Sequence, residues 1–245
     1  MLGIDDLRGV QAARPLPIFG SKQCLDRLEC IFPYLLPKAT EGRNPRLFVA
    51  SLDWRVLDGP RLDAEEGAAE GHAEAASGEA QASDNAKQSS SSTSSLPPSP
   101  SSIPPRRCVF SPAAGLEVDA FAVEHGPRFL SLGFGFGPSA AKFVYISDVS
   151  RVPPHTLQQL QAYERIATLV VDCLDPGDRG FTYPTHFSLP QTLDLVRTLR
   201  PQKTLLVGMT HAFEHHAGNA RLAALLGEEG LDVQLAYDGL CVHVD

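Results

Sequence analysis

Apolar and polar positions along this chain fall into short blocks that switch between a period of two and a period near 3.6. Pro15-Leu-Pro-Ile-Phe19 reads as a strand, and Ser21 stands as the N-cap of a helix with Cys24, Leu28, Ile31 and Phe32 on one face, ended near Pro33. Leu47 to Trp54, Leu116 to Val123, Phe129 to Phe136 and Phe143 to Ile146 are strand candidates. From there helices and strands alternate. Leu157, Leu160 and Glu164 share a helix face, and Ala167 to Asp172 is a strand. Ser188 with Gln191 opens a helix through Leu199, Thr204 to Gly208 is a strand, and Asn219 to Leu226 is a helix closed by Gly230. Leu235-Ala-Tyr-Asp-Gly-Leu240 carries an Asp-Gly pair and reads as a type I′ hairpin. The pattern predicts an α/β fold with mixed sheets.

One composition shift interrupts it. Residues 57–107 are first Ala/Glu/Gly-rich and then Ser/Pro-rich, with too few large apolar side chains to offset the entropy of ordering. The expected organisation is an N-terminal part of one domain at 1–56, a disordered insertion at 57–107 that includes His72, and the rest of the same domain at 108–245.

Composition narrows the function classes. A net charge of -8 without any Lys/Arg cluster disfavours nucleic acid as a bulk ligand. The five cysteines are scattered and never spaced Cys-x-x-Cys, which points to free thiols in a reducing, cytoplasmic compartment. No apolar run is long enough to span a bilayer, and the start of the chain lacks the pattern of a signal peptide.

Candidate chemistry lies where strands end. His125, Asp148 and His211 each close a strand-like run, and no other residue is read as combining ligand chemistry with that placement. Two imidazoles and a carboxylate suit a zinc-like ion, and the second carboxylate oxygen can bridge to a neighbouring ion. Each residue also has a plainer reading: His125 before Gly126 suits a turn, Asp148 can cap the turn after its strand, and His211, His215 and His216 can form a solvated loop. The glycines of Gly133-Phe-Gly-Phe-Gly137 alternate within a strand, so they are not a nucleotide fingerprint.

The ordered set His125-Gly, Ser147-Asp148-Val-Ser, His186-Phe-Ser-Leu, Gly208-Met-Thr-His211 and Tyr237-Asp-Gly resembles the metallo-β-lactamase-fold hydrolases, in the branch related to phosphoribosyl cyclic phosphodiesterase and its eukaryotic hydrolase members. The resemblance implies an αββα sandwich and a site for two divalent ions, zinc or manganese. His125 and Asp148 would hold metal, Asp148 as the bridge; His211, or else His215 or His216 further on, would hold the second ion, and His186 would protonate the leaving oxygen. It implies hydrolysis of a small phosphodiester-like substrate by a metal-activated water, and a homodimer is compatible with it.

Two departures stand against that pattern. The family's His-x-His-x-Asp loop falls just before Leu2, so the sequence as given lacks that loop and the first strands of the sheet. Each ion would be left with about one or two ligands and would bind poorly. The alternatives are a truncated sequence and a non-catalytic protein that uses the fold for binding. Gly208 also stands where many bacterial relatives carry a ligating His, and Tyr183 where many carry another. Asp5, Asp6 and Arg8 form either a surface ion cluster or, through Arg8, a contact to substrate phosphate.

Overall fold

The computed structural model describes residues 15–35, 52–57, 108–127, 129–178, 180 and 182–244. Residues 47–51, nearly all of the expected insertion, and Asp5, Asp6, Arg8 and His72 lie outside the described residues.

Strand β1 (Leu16–Gly20) leads into helix α1 (Lys22–Ile31), where the Ser21 hydroxyl accepts from Cys24 N as an N-cap does. β2 (Leu52–Val56) pairs parallel with β1. The remaining strands form one seven-stranded sheet in sequence order: β3 (Cys108–Ala113), β4 (Leu116–Glu124), β5 (Leu130–Phe136), β6 (Lys142–Ile146), β7 (Ile166–Asp172), β8 (Lys203–Val207) and β9 (Val233–Leu235). β3 to β6 are antiparallel neighbours; β6 to β9 are parallel. Parallel strands need crossovers, and helices α2 (Pro154–Gln161), α3 (Leu189–Leu199) and α4 (His215–Glu229) supply them.

Alternation along the strands produces the layers. Phe121 and Val123 of β4, Val144 and Ile146 of β6, Leu169 and Val171 of β7, Leu206 of β8 and Leu235 of β9 share one buried core with Leu160 of α2, Val196 of α3 and Leu222 of α4. On the opposite face Ala120, Cys108, Phe110, Leu132 and Phe134 meet Phe19 and Leu57 of the small sheet. The outer side of the small sheet buries Leu52, Leu16, Ile18 and Trp54 against Leu35 and Phe32, next to α1. The order of layers is therefore helix, sheet, sheet, helix, the expected αββα sandwich.

The far edge of the large sheet is held by a buried charged group. Lys142 at the start of β6 donates to Asp119 (3.2 Å) and to the Gly137 carbonyl (2.7 Å), and the Tyr163 hydroxyl donates to the same Asp119 oxygen (3.0 Å). Tyr163 reaches Asp119 by passing over Gly135, where a Cβ would lie 2.8 Å from its hydroxyl. The alternating glycines of β5 are thus slots for side chains that cross the sheet.

Several sequence expectations need correction. α2 ends at Gln161, leaving Glu164 beyond it, because Tyr163 turns toward Asp119. Ile31 is half-exposed, so Leu28 alone of the expected α1 face is fully buried. β3 follows directly on the low-complexity stretch and was not anticipated. The expected hairpin at Asp238-Gly239 is absent among the described residues: β9 runs parallel to β8, and the chain leaves through a turn closed by Leu240 N to Tyr237 O (3.1 Å). Only Gly239 there has a positive φ (85°), whereas a type I′ turn needs left-handed backbone at both central positions.

At Gly133 an added Cβ would lie 2.1 Å from the Phe121 ring, which is itself fully buried in the core. Gly133→Ala is expected to destabilise the protein by about 1–3 kcal/mol through overpacking, read as a lower denaturation midpoint in urea.

Candidate metal centre

Four chain segments reach the same edge of the large sheet, where β4 and the parallel strands β6, β7 and β8 end. β4 ends at Glu124 and delivers His125; β6 ends at Ile146 and delivers Asp148; β7 ends in Asp172; β8 is followed by Gly208. The open edge of a sheet is where irregular backbone can present polar side chains without leaving strand groups unpaired.

His125, Asp148 and His186 converge there, with one ligand atom from each within 4.8 Å of the others. His186 comes from the long connection between β7 and α3. That connection is closed at its base by Leu174 N to Phe187 O (2.8 Å) and Leu189 N to Asp175 O (2.9 Å), and Gln191 accepts from Ser188 N at the start of α3. Closing the base fixes the consecutive residues Thr185 and His186, and each of them engages the site.

Both imidazoles are held through Nδ1. His125 Nδ1 lies 2.7 Å from the Thr185 carbonyl, which can only accept, so this nitrogen carries the proton. His186 Nδ1 lies 2.7 Å from Asp172 Oδ2. With Nδ1 engaged, Nε2 is the nitrogen that each ring has left for an ion or a substrate oxygen. Metal-ligating histidines are oriented in this way, the other nitrogen donating to a carbonyl or a carboxylate. The donor set of two anchored imidazoles and an exposed carboxylate fits a divalent ion of the zinc type.

Asp172 carries the arrangement. Its carboxylate is buried, and Oδ2 accepts from both His186 Nδ1 and Val149 N (3.2 Å). Burial pushes this carboxyl above its ordinary range, against the pull of those two hydrogen bonds in the other direction. Space for it is made by Gly208: a Cβ there would lie 2.6 Å from Asp172 Oδ1, and its φ of 78° suits glycine. The sequence reading missed Asp172, although it too closes an apolar strand; the reading of His125, Asp148 and His211 as the only ligand-type residues so placed is corrected here.

Asp148 has left-handed backbone (φ 52°), which Asp tolerates better than most residues and which turns its carboxylate out of the strand line. His211 is exposed in the loop between β8 and α4 and is not in the three-residue group. His215 has both ring nitrogens engaged, Nε2 toward the Ala236 carbonyl (3.3 Å) and Nδ1 toward Asn219 Nδ2 (3.4 Å). Tyr183 donates to Asp175 (3.3 Å) in the connection that carries His186.

No protein-family profile and no curated protein sequence matches the chain. Solved structures do. A diphosphatase of the PhnP family superposes with a TM-score of 0.60 at 17% identity, covering 98% of this chain and 64% of the other. Zn²⁺-bound PqqB from Methylobacterium extorquens superposes with a TM-score of 0.54 at 12% identity, covering 97% and 68%. The protein has the metallo-β-lactamase fold. It spans somewhat under two thirds of the length of that diphosphatase.

Cys173, next to Asp172, is no candidate nucleophile: burial pushes its thiol up to about 12. Because the thiolate is the reactive form, Cys173 is expected to stay unmodified by a thiol reagent at pH 8 in the folded protein, whereas the exposed Cys30 and Cys241 react. Mass spectrometry of alkylated peptides before and after unfolding checks this.

Proposed function

We propose that this protein is a metal-dependent hydrolase that cleaves a small phosphodiester-like substrate with an activated water. The observation that carries the reading is the convergence of His125, Asp148 and His186, with both rings anchored through Nδ1. A divalent ion such as zinc or manganese, when bound, supplies Lewis acidity and lowers the pKa of water toward neutrality.

The chain's own residues divide the remaining work. His125 and Asp148 would hold the ion, and His211 from the β8–α4 loop would serve a second one. His186 would pass a proton to the leaving oxygen from a ring whose orientation the Asp172 carboxylate fixes at Nδ1. Its place within reach of the same point suits a group that serves substrate bound at the ion. The superposition with a diphosphatase supports phosphoryl chemistry as the class.

His125→Ala and Asp148→Asn are expected to lower both Zn²⁺ binding and hydrolysis of bis(p-nitrophenyl) phosphate by at least ~100-fold. His186→Ala is expected to lower the rate ~10²–10⁴-fold while leaving most of the bound metal in place. Metal content by plasma emission and initial rates on the Zn²⁺- or Mn²⁺-loaded protein test this. A folded, metal-loaded protein that hydrolyses no phosphodiester would overturn it.

A further inference from the structure

Among the described residues the last pair of β4 with β3 joins Ala120 to Cys108, and the end of β4 from Ala122 to Glu124 has further partners elsewhere in the chain. The end of a strand must find partners for its backbone groups or meet water. Here the chain between β6 and α2, with the first turn of α2, takes it up: Thr156 Oγ1 of α2 donates to the Ala122 carbonyl (2.7 Å), Glu124 N donates to the Arg151 carbonyl (2.9 Å), and Ser150 N donates to the Glu124 carbonyl (2.7 Å). The Arg151 guanidinium closes over the Glu124 carboxylate, Nε donating to Oε2 at 2.6 Å.

Within this clasp one hydroxyl has two partners of special position. Ser150 Oγ accepts from Gly126 N (2.8 Å) and donates to the Glu124 carbonyl (3.2 Å). Those are the backbone groups immediately after and immediately before His125. The pairing uses one donor and one acceptor of the hydroxyl, as its chemistry allows. Ser150 also lies two residues after Asp148, and the residue between them, Val149, is tied by its N–H to Asp172.

We infer that Ser150 is a positioning residue that sets His125 against Asp148 by bracketing the His125 peptide from both sides. This rests on the metal-binding reading of the site. His125 belongs to the end of β4 and Asp148 to the end of β6, and β5 lies between those strands in the sheet. β4 and β6 do not pair with each other; the backbone bridge between Glu124 and Arg151 ties the two segments on the near side of His125, and the Ser150 hydroxyl adds the tie to Gly126 on its far side. The Thr185 carbonyl holds the His125 ring at Nδ1, and Ser150 holds the backbone from which that ring projects. The space at Gly126 is equally tight, since a Cβ there would lie 2.9 Å from Thr185 Cγ2, so the turn has little room to re-form in another way.

The test compares Ser150→Ala and Ser150→Thr with the unaltered protein, first without metal and then with Zn²⁺. In metal-free Ser150→Ala the Gly126 amide is expected to exchange with solvent at least ~10-fold faster, and the His125 ring nitrogen signals in ¹H–¹⁵N spectra to lose their single Nδ1–H tautomer. Zn²⁺ affinity, measured by competition with a chromophoric chelator, is expected to fall ~10–100-fold. Ser150→Thr, which keeps the hydroxyl, is expected to restore all three. Circular dichroism shows whether each variant is folded; if Ser150→Ala is not, the Ser150→Gly and Ser150→Thr pair gives the same comparison. Unchanged Gly126 exchange and unchanged His125 signals in a folded hydroxyl-free variant overturn the inference. An unaltered protein that binds no Zn²⁺ defeats the metal reading instead, and the metal-free measurements still decide the role of Ser150.

Discussion

A single buried carboxylate joins the parts of the candidate site. Asp172 ends β7, an inner strand of the parallel half of the sheet, and one of its oxygens receives both the His186 ring and the Val149 amide. These come from the two connections on either side of β7, so the carboxylate links the loop that carries Asp148 to the loop that carries His186. A buried charge without partners would cost several kcal/mol, and the Val149 amide and the His186 ring are the donors that make this one tolerable. The same burial keeps the hydrogen bond to His186 in a low-dielectric setting, where it is stronger than it would be in water. Gly208 is the fourth part of the arrangement, because any side chain there would occupy the place of the carboxylate.

The opposite edge of the sheet solves a different problem. Lys142, Asp119 and Tyr163 form a buried polar group far along the strands from the candidate metal donors, with the Gly137 carbonyl accepting a further hydrogen bond from Lys142. Paired in this way they fix how β4, β5 and β6 lie against one another, while the crossing side chains fill the slots left by the β5 glycines. One edge of the sheet is thereby locked, and the other is free to carry irregular backbone and exposed donors.

Much of this was legible in the sequence, and the failures have local causes. The blocks ending at His125 and Asp148 were read correctly as strands, and the Ser21 cap and the start of α3 lie where the helix signals put them. Asp172 was passed over because a strand of the type Leu-Val-Val-Asp looks the same whether the acid faces water or a buried imidazole; only the closed connection that returns His186 to it tells the two apart. α4 begins four residues before the expected Asn219 because its N-cap is Glu214, a residue type outside the usual capping set, whose carboxylate takes the amides of His216 and Ala217. Asn219 serves a different purpose, accepting from Leu235 N and tying α4 to β9. The turn after β9 carries the right residues for a hairpin, but pairing with β8 had already set that strand's direction.

Leu57, at the end of β2, and Cys108, at the start of β3, are buried in one cluster with Ala120. The chain therefore leaves the sandwich and re-enters it at nearly the same place. For a segment whose two ends are already gathered, doubling the length of the intervening chain adds only about 0.6 kcal/mol of closure entropy. A connection between two ends gathered in this way can change in length at little entropic cost to the layers that carry the candidate donors.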